Sequence, residues 1–172
     1  MKTIGLLLFS FLCGMLPVSR LMAQDFLSKT LSDELNSHFS SLQKQDKPPY
    51  FMAYRLTDIQ SYGLGASFGS LIADDYNHKR MISAEIRIGS YEFDNTHPVN
   101  DMGIGYGFMG NSMQQLPIED SLLPIRNSIR ECTDGAYKAS LEKYEGLMLV
   151  KDTLKIKFND FSTEPKSNYF EP

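Results

Sequence analysis

The stretch from Tyr50 to Asn95 constrains the fold more than any other, because apolar and polar residues alternate through it three times in succession. Tyr50, Met52, Tyr54 and Leu56 alternate with Phe51, Ala53, Arg55 and Thr57. Tyr62, Leu64, Ala66, Phe68 and Ile72 alternate with Gly63, Gly65, Ser67 and Gly69. Ile82, Ala84, Ile86 and Ile88 alternate with Ser83, Glu85, Arg87 and Gly89. A period of two puts each large apolar set on one face of a strand. Asp58-Ile59-Gln60 and Asp74 to Lys79 are short polar connections, which predicts antiparallel neighbours.

Two helices are expected to cover the apolar face. Leu27, Leu31, Leu35, Phe39 and Leu42 recur at spacings of four and three, with Asp25 as a cap and Pro48-Pro49 as a stop. A second stripe is formed by Leu122, Ile125, Ile129, Cys132, Ala136 and Leu141, ending near Tyr144, with Pro124 tolerated in the first turns. Leu147 to Val150 and Leu154 to Phe158 read as two short strands. The expected fold is therefore α+β: a small, mainly antiparallel sheet of three or more strands under two amphipathic helices.

The first residues read as a targeting segment. Lys2 is a short positive region, Ile4 to Val18 is apolar, and Leu21-Met22-Ala23 offers a cleavage site. The apolar run is too short for a membrane span, and Pro17 and Arg20 end it. The expected organisation is a signal peptide at 1–23 and one α+β domain at 24–172, with a flexible loop at about 98–116 and an extended tail at about 160–172. Such a chain is exported, to the periplasm or the extracellular space, and keeps no membrane span after cleavage. Removing 23 of the 172 residues leaves 149, and the loss of Lys2 and Arg20 moves the net charge from −4 to −6. An acidic domain with no basic run is a poor nucleic-acid binder. Cleavage also removes Cys13, so Cys132 has no internal partner for a disulfide and reads as a small buried hydrophobe.

The chain offers little chemistry. His38, His78 and His97 lie far apart, and none is followed by Glu, so no helical zinc-binding spacing is present. Gly105, Gly107 and Gly110 match a dinucleotide fingerprint on paper but lack the preceding strand and following helix. Ser83, His97 and Asp94 contain the residue types of a triad without an elbow motif, and Asp94 to Pro98 reads as a turn. Asp74-Asp75 and Glu119-Asp120 read as turn and cap carboxylates. No catalytic residue and no metal ligand is assigned. The one candidate surface is the nearly bare strip Gly63, Gly65, Ser67 and Gly69, where a partner domain or peptide backbone has room to approach, unless it marks only a twist or bulge.

Several segments, in order, carry a resemblance. They are Ser32-Asp33-Glu34-Leu35 and Leu42; Pro49-Tyr50-Phe51-Met52-Ala53-Tyr54-Arg55; Ala66-Ser67-Phe68-Gly69-Ser70-Leu71; Glu85-Ile86-Arg87-Ile88-Gly89; and Phe93-Asp94-Asn95. Further on come Leu116-Pro117-Ile118-Glu119-Asp120, Pro124-Ile125-Arg126, the run from Thr133-Asp134-Gly135-Ala136-Tyr137-Lys138 to Leu141-Glu142, Asp160-Phe161-Ser162 and Tyr169-Phe170-Glu171-Pro172. Together they resemble the N-terminal domain of secreted TldD/PmbA-type (modulator of gyrase) metallopeptidases. The chain departs from that pattern at Arg130, where the family often has tryptophan, and at Tyr144-Glu145-Gly146-Leu147. The family's zinc-binding His-Glu-x-x-x-His helix belongs to a larger C-terminal domain that this sequence does not include. The resemblance implies a non-catalytic cleft or interface domain, truncated or split from an exported zinc metallopeptidase, with a role in proteolysis only beside a catalytic domain. It implies zinc for that missing domain and no cofactor for this chain. The implied partners are the catalytic domain or a homologous subunit, and unfolded peptide. The alternative expectation is a stand-alone exported peptide- or protein-binding module.

Overall fold

The computed structural model describes residues 18–98, 112–154 and 159–165. Helix α1 spans Val18–Leu42, strand β1 Pro49–Ser67, β2 Ser70–Ile88, β3 Ser112–Leu116 and helix α2 Leu122–Val150, followed by a 3-10 turn at Lys151–Thr153. The sheet has the order β1-β2-β3 and is antiparallel throughout. The α+β class with an antiparallel three-stranded sheet and two helices is thus the observed one.

Both helices lie on one face of the sheet. Met52 of β1, Ile82, Ala84, Ile86 and Ile88 of β2 and Leu116 of β3 pack with Leu27 of α1 and with Ile125, Ile129, Cys132 and Ala136 of α2. The rest of the α1 stripe, Leu31, Leu35, Phe39 and Leu42, is partly buried against this cluster. Tyr54 joins the two layers, since its hydroxyl lies 2.5 Å from Thr133 Oγ1 and 2.8 Å from His38 Nδ1. Burial pushes the pKa of that phenol up, keeping it a neutral hydrogen-bonding group. Glu34 accepts from Arg126 at 2.6 Å and ties α1 to α2. Cys132 is fully buried, as its place in the stripe predicts, with Sγ 3.8 Å from the Ile82 carbonyl.

Several boundaries differ from expectation. The stretch Tyr50–Gly89 forms two 19-residue strands rather than three shorter ones. Asp58-Ile59-Gln60 and Asp74–Lys79 continue the strands and pair across them, with Asp58 opposite Arg80 and Gln60 opposite His78. Neither segment contains the Gly or Pro that would force a reversal. The third strand is Ser112–Leu116, inside the expected loop at 98–116, while 99–111, with the glycine run Gly103 to Gly110, lies outside the described residues. Helix α1 starts at Val18, so Asp25 and the expected cleavage point after Ala23 both fall within it; Val18 to Asp25 contains no helix breaker. Helix α2 passes through Gly146 to Val150 because Leu147 is buried, which replaces the strand expected at 147–150. Of the second strand expected there, 155–158 lie outside the described residues.

Candidate functional site

The turn at Asp94 is the densest polar centre. Arg87 donates to Glu85 at 2.8 Å, to Asp94 Oδ2 and Thr96 Oγ1 at 3.0 Å, and to the Asp160 carbonyl at 3.2 Å, and it stacks 4.5 Å over the Phe161 ring. Asp94 also accepts from the Tyr50 hydroxyl and from Thr96, and its backbone N–H donates to Asp160 Oδ2. Burial opposes the charge of Asp94, but hydrogen bonds from Thr96, Tyr50 and Arg87 outweigh it and hold the carboxyl below the usual range. His97 pairs with Asp160 at 2.7 Å. The oxygens of Asp94 are therefore spent within the fold, and His97 faces Asp160 rather than Asp94, so Ser83, His97 and Asp94 form no triad. The expected tail is docked here instead: Phe161 packs on Tyr50, Phe51 and Tyr91. Residues 166–172 lie outside the described residues.

Asn95 finishes the covered part of the sheet. β3 pairs with β2 only from Arg80 to Ala84. Beyond it, Asn95 Oδ1 accepts from the Ile88 N–H at 2.7 Å and its Nδ2 donates to the Ile86 carbonyl at 3.1 Å. One side chain thus takes the place of a third strand. Arg55, Thr57, Met81, Ser83, Glu85 and Arg87 line an open trough of about 500 Å³ that also reaches Ser140 and Lys143 of α2.

The other half of the hairpin is bare. Arg80 is nearly buried and marks the boundary, bonding Asp58 at 3.2 Å, Asp120 at 2.9 Å and the Pro117 carbonyl at 3.2 Å. Burial opposes the charge of Asp58, but bonds from His78 and Arg80 hold its carboxyl below the usual range. Past this knot no residue from Ile59 to Lys79 is buried. Nine residues of β1 and ten of β2 run out for about 30 Å. Tyr62 and Tyr76 stack at 4.7 Å on this ribbon yet stay exposed, as do Ile59, Leu64, Leu71 and Ile72. At the tip Phe68 and Gly69 both have positive φ, 49° and 79°. That is the demand of a tight type I′ hairpin turn. Phenylalanine is a poor residue for it, and here its ring stands fully in solvent.

The glycine strip falls on this arm. On β1, Gly63 faces Asp75 of β2 and Gly65 faces Ala73 of β2, Ser67 ends the strand, and Gly69 lies in the turn rather than on the strip. The register shifts between Gly65 and Ala66, so a bulge accompanies the glycines. The period-two pattern predicts a core-facing position for Tyr62, Leu64, Phe68 and Ile72, yet all four are exposed. Their alternation records a sheet face but not whether a helix reaches it. Among the described residues no group of three or more His, Cys, Asp or Glu is placed to hold a metal ion, and no helix is long and apolar enough to cross a membrane. No family model matches the chain, and the searches of curated proteins and of solved structures returned no significant match.

Proposed function

We propose that the chain is a non-catalytic interaction domain whose projecting hairpin engages another polypeptide, and that it serves an exported zinc metallopeptidase. The projecting arm is the observation that carries the first part. A two-stranded ribbon without a packed face is marginal in water. This one exposes a row of large apolar side chains and holds a phenylalanine in a left-handed turn at its tip. Strain of that kind persists where a function uses it. The resemblance to the TldD/PmbA N-terminal domain supports the metallopeptidase as the enzyme served, and zinc then belongs to that enzyme rather than to this chain.

The test joins the paired residues Ile59 and Lys79 through an Asn-Gly turn, which removes the arm and keeps Asp58 opposite Arg80. Full-length and shortened chains are mixed with a zinc peptidase chain bearing the His-Glu-x-x-x-His helix. Binding and a change in peptidase rate with the full-length chain, both lost on shortening, support the proposal. Equal binding by both chains overturns the role of the arm. Binding of an extended peptide through the arm, with no effect on any peptidase, favours the stand-alone binding module.

A further inference from the structure

We infer that the arm pairs with a second copy of this chain, β1 edge to β1 edge about a two-fold axis at Ser61. The inference rests on the reading that the arm engages another polypeptide, and names that polypeptide.

The two open edges of the arm are not equivalent. Along β2 the run from Ser70 to Lys79 carries Asp74, Asp75 and Lys79. Charges of this kind are how natural edge strands resist pairing. Along β1 the run from Ile59 to Ser67 contains no charged residue and no proline, and among the described residues β1 is an edge strand over its whole length. The guarded edge is β2, and the edge free to pair is β1.

The β1 edge is also self-complementary. An antiparallel pairing centred on Ser61 sets Ile59 opposite Gly63 of the second copy and Thr57 opposite Gly65 of the second copy. The bare positions of each strand then receive the branched side chains of the other, which gives the glycine strip a purpose. On the opposite face Gln60 meets Tyr62 and Asp58 meets Leu64, so no like charges oppose one another. The same register brings Phe68 of the second copy level with Tyr54, beside Arg55 at the rim of the trough. An interface of this type is isologous and closes on itself. Ile59, Tyr62, Leu64, Phe68, Leu71, Ile72 and Tyr76 are 50% to 106% exposed. Of these, Ile59, Tyr62 and Leu64 lie on the pairing strand itself, so the contact brings exposed apolar side chains of both copies together.

The full chain is measured by light scattering and sedimentation, with Ser61→Cys, Ser61→Lys and Asp75→Lys variants. Ser61 is exposed, so its replacement leaves the core intact. Facing residues of an antiparallel pair lie about 4.5–5.5 Å apart at Cα, within disulfide reach. We expect a dimer that Ser61→Cys locks covalently under mild oxidation. Ser61→Lys is expected to weaken it about tenfold or more, and Asp75→Lys to leave it unchanged. A dimer that is indifferent to Ser61→Lys and fails to crosslink overturns the inference by placing the interface elsewhere. A monomer that still binds a zinc peptidase through the arm overturns it too, but leaves the proposed function standing. A monomer whose arm binds nothing overturns both.

Discussion

Between Met52 and Leu56 the β1–β2 hairpin carries alternating apolar residues that lie under two helices; between Ile59 and Ile72 it carries alternation of the same quality, and none of it is covered. Strand geometry, pairing and twist are continuous across the boundary. What changes at Arg80 is the company: β3 pairs no further than Arg80, and past it no residue of the ribbon up to Ile59 is buried, while the ribbon continues. Period-two patterning therefore marks a face that seeks burial. In the base the burying partner is the same chain; in the arm, none of the described residues plays that part.

The sharpest way to break this comparison is to truncate one apolar residue in each half. Ile82 is fully buried beneath α2, and Ile82→Ala is expected to cost roughly 2–5 kcal/mol in urea unfolding. Tyr62→Ala, on the exposed arm, should change the stability of the monomeric protein by about 0.5 kcal/mol or less. Similar losses at both sites would mean that the arm is packed within its own chain.

The same contrast explains what was legible in the sequence. The helical stripes and the period-two runs depend on local spacing, so Ile125, Ile129, Cys132 and Ala136 could be placed in the core in advance. The turn at Asp94 was legible because Asx chemistry is local, and the Asp94 carboxylate does receive the Thr96 N–H. The length of the hairpin was not, because a polar segment such as Asp74–Lys79 serves equally as a loop or as an exposed strand, and only the pairing with Ile59–Leu64 decides. The positive φ of Phe68 was not legible either, since its side chain does not ask for that conformation. The bare strip at Gly63 and Gly65 was visible at once. That it lies on an arm with an unguarded edge required the register.

The next largest effect separates the polar knots. Arg87 is largely buried over fully buried Asp94, so Arg87→Ala leaves a carboxylate with Tyr50 and Thr96 as its remaining side-chain donors. A loss of about 1.5–3 kcal/mol is expected in denaturant unfolding. Unchanged stability would show that the tail and the Asp94 turn contribute nothing to the base.

Acid should act on that knot in a defined direction. The carboxyl of Asp94 is held below its ordinary value in the folded protein. Its stabilising contribution is present in full above the unfolded value of about 3.9, and is lost progressively as pH falls toward and through the folded value. In Asp94→Asn this dependence is removed. The stability gap between the native protein and Asp94→Asn, followed from pH 7 to pH 3, should therefore narrow toward the acid end. A gap that widens on acidification would contradict the assignment.

The smallest expected effect lies in the arm itself. A Cβ added at Gly63 meets nothing closer than 3.7 Å, so Gly63→Ala fits without strain and removes unfolded-state freedom. Amides from Ile59 to Lys79 should exchange quickly in the monomer, because no third strand or helix among the described residues protects them, and Gly63→Ala should slow them by no more than the equivalent of about 0.5–1 kcal/mol. At Gly89 the same substitution meets a different setting, since φ is 121° and the added carbon would stand 2.5 Å from the Phe93 carbonyl oxygen. The two glycines therefore report on the two halves: one replacement is absorbed by an open ribbon, while the other strikes the closed base. If Gly63→Ala disturbed the protein as much as Gly89→Ala, the arm would have to be packed against something within the monomer.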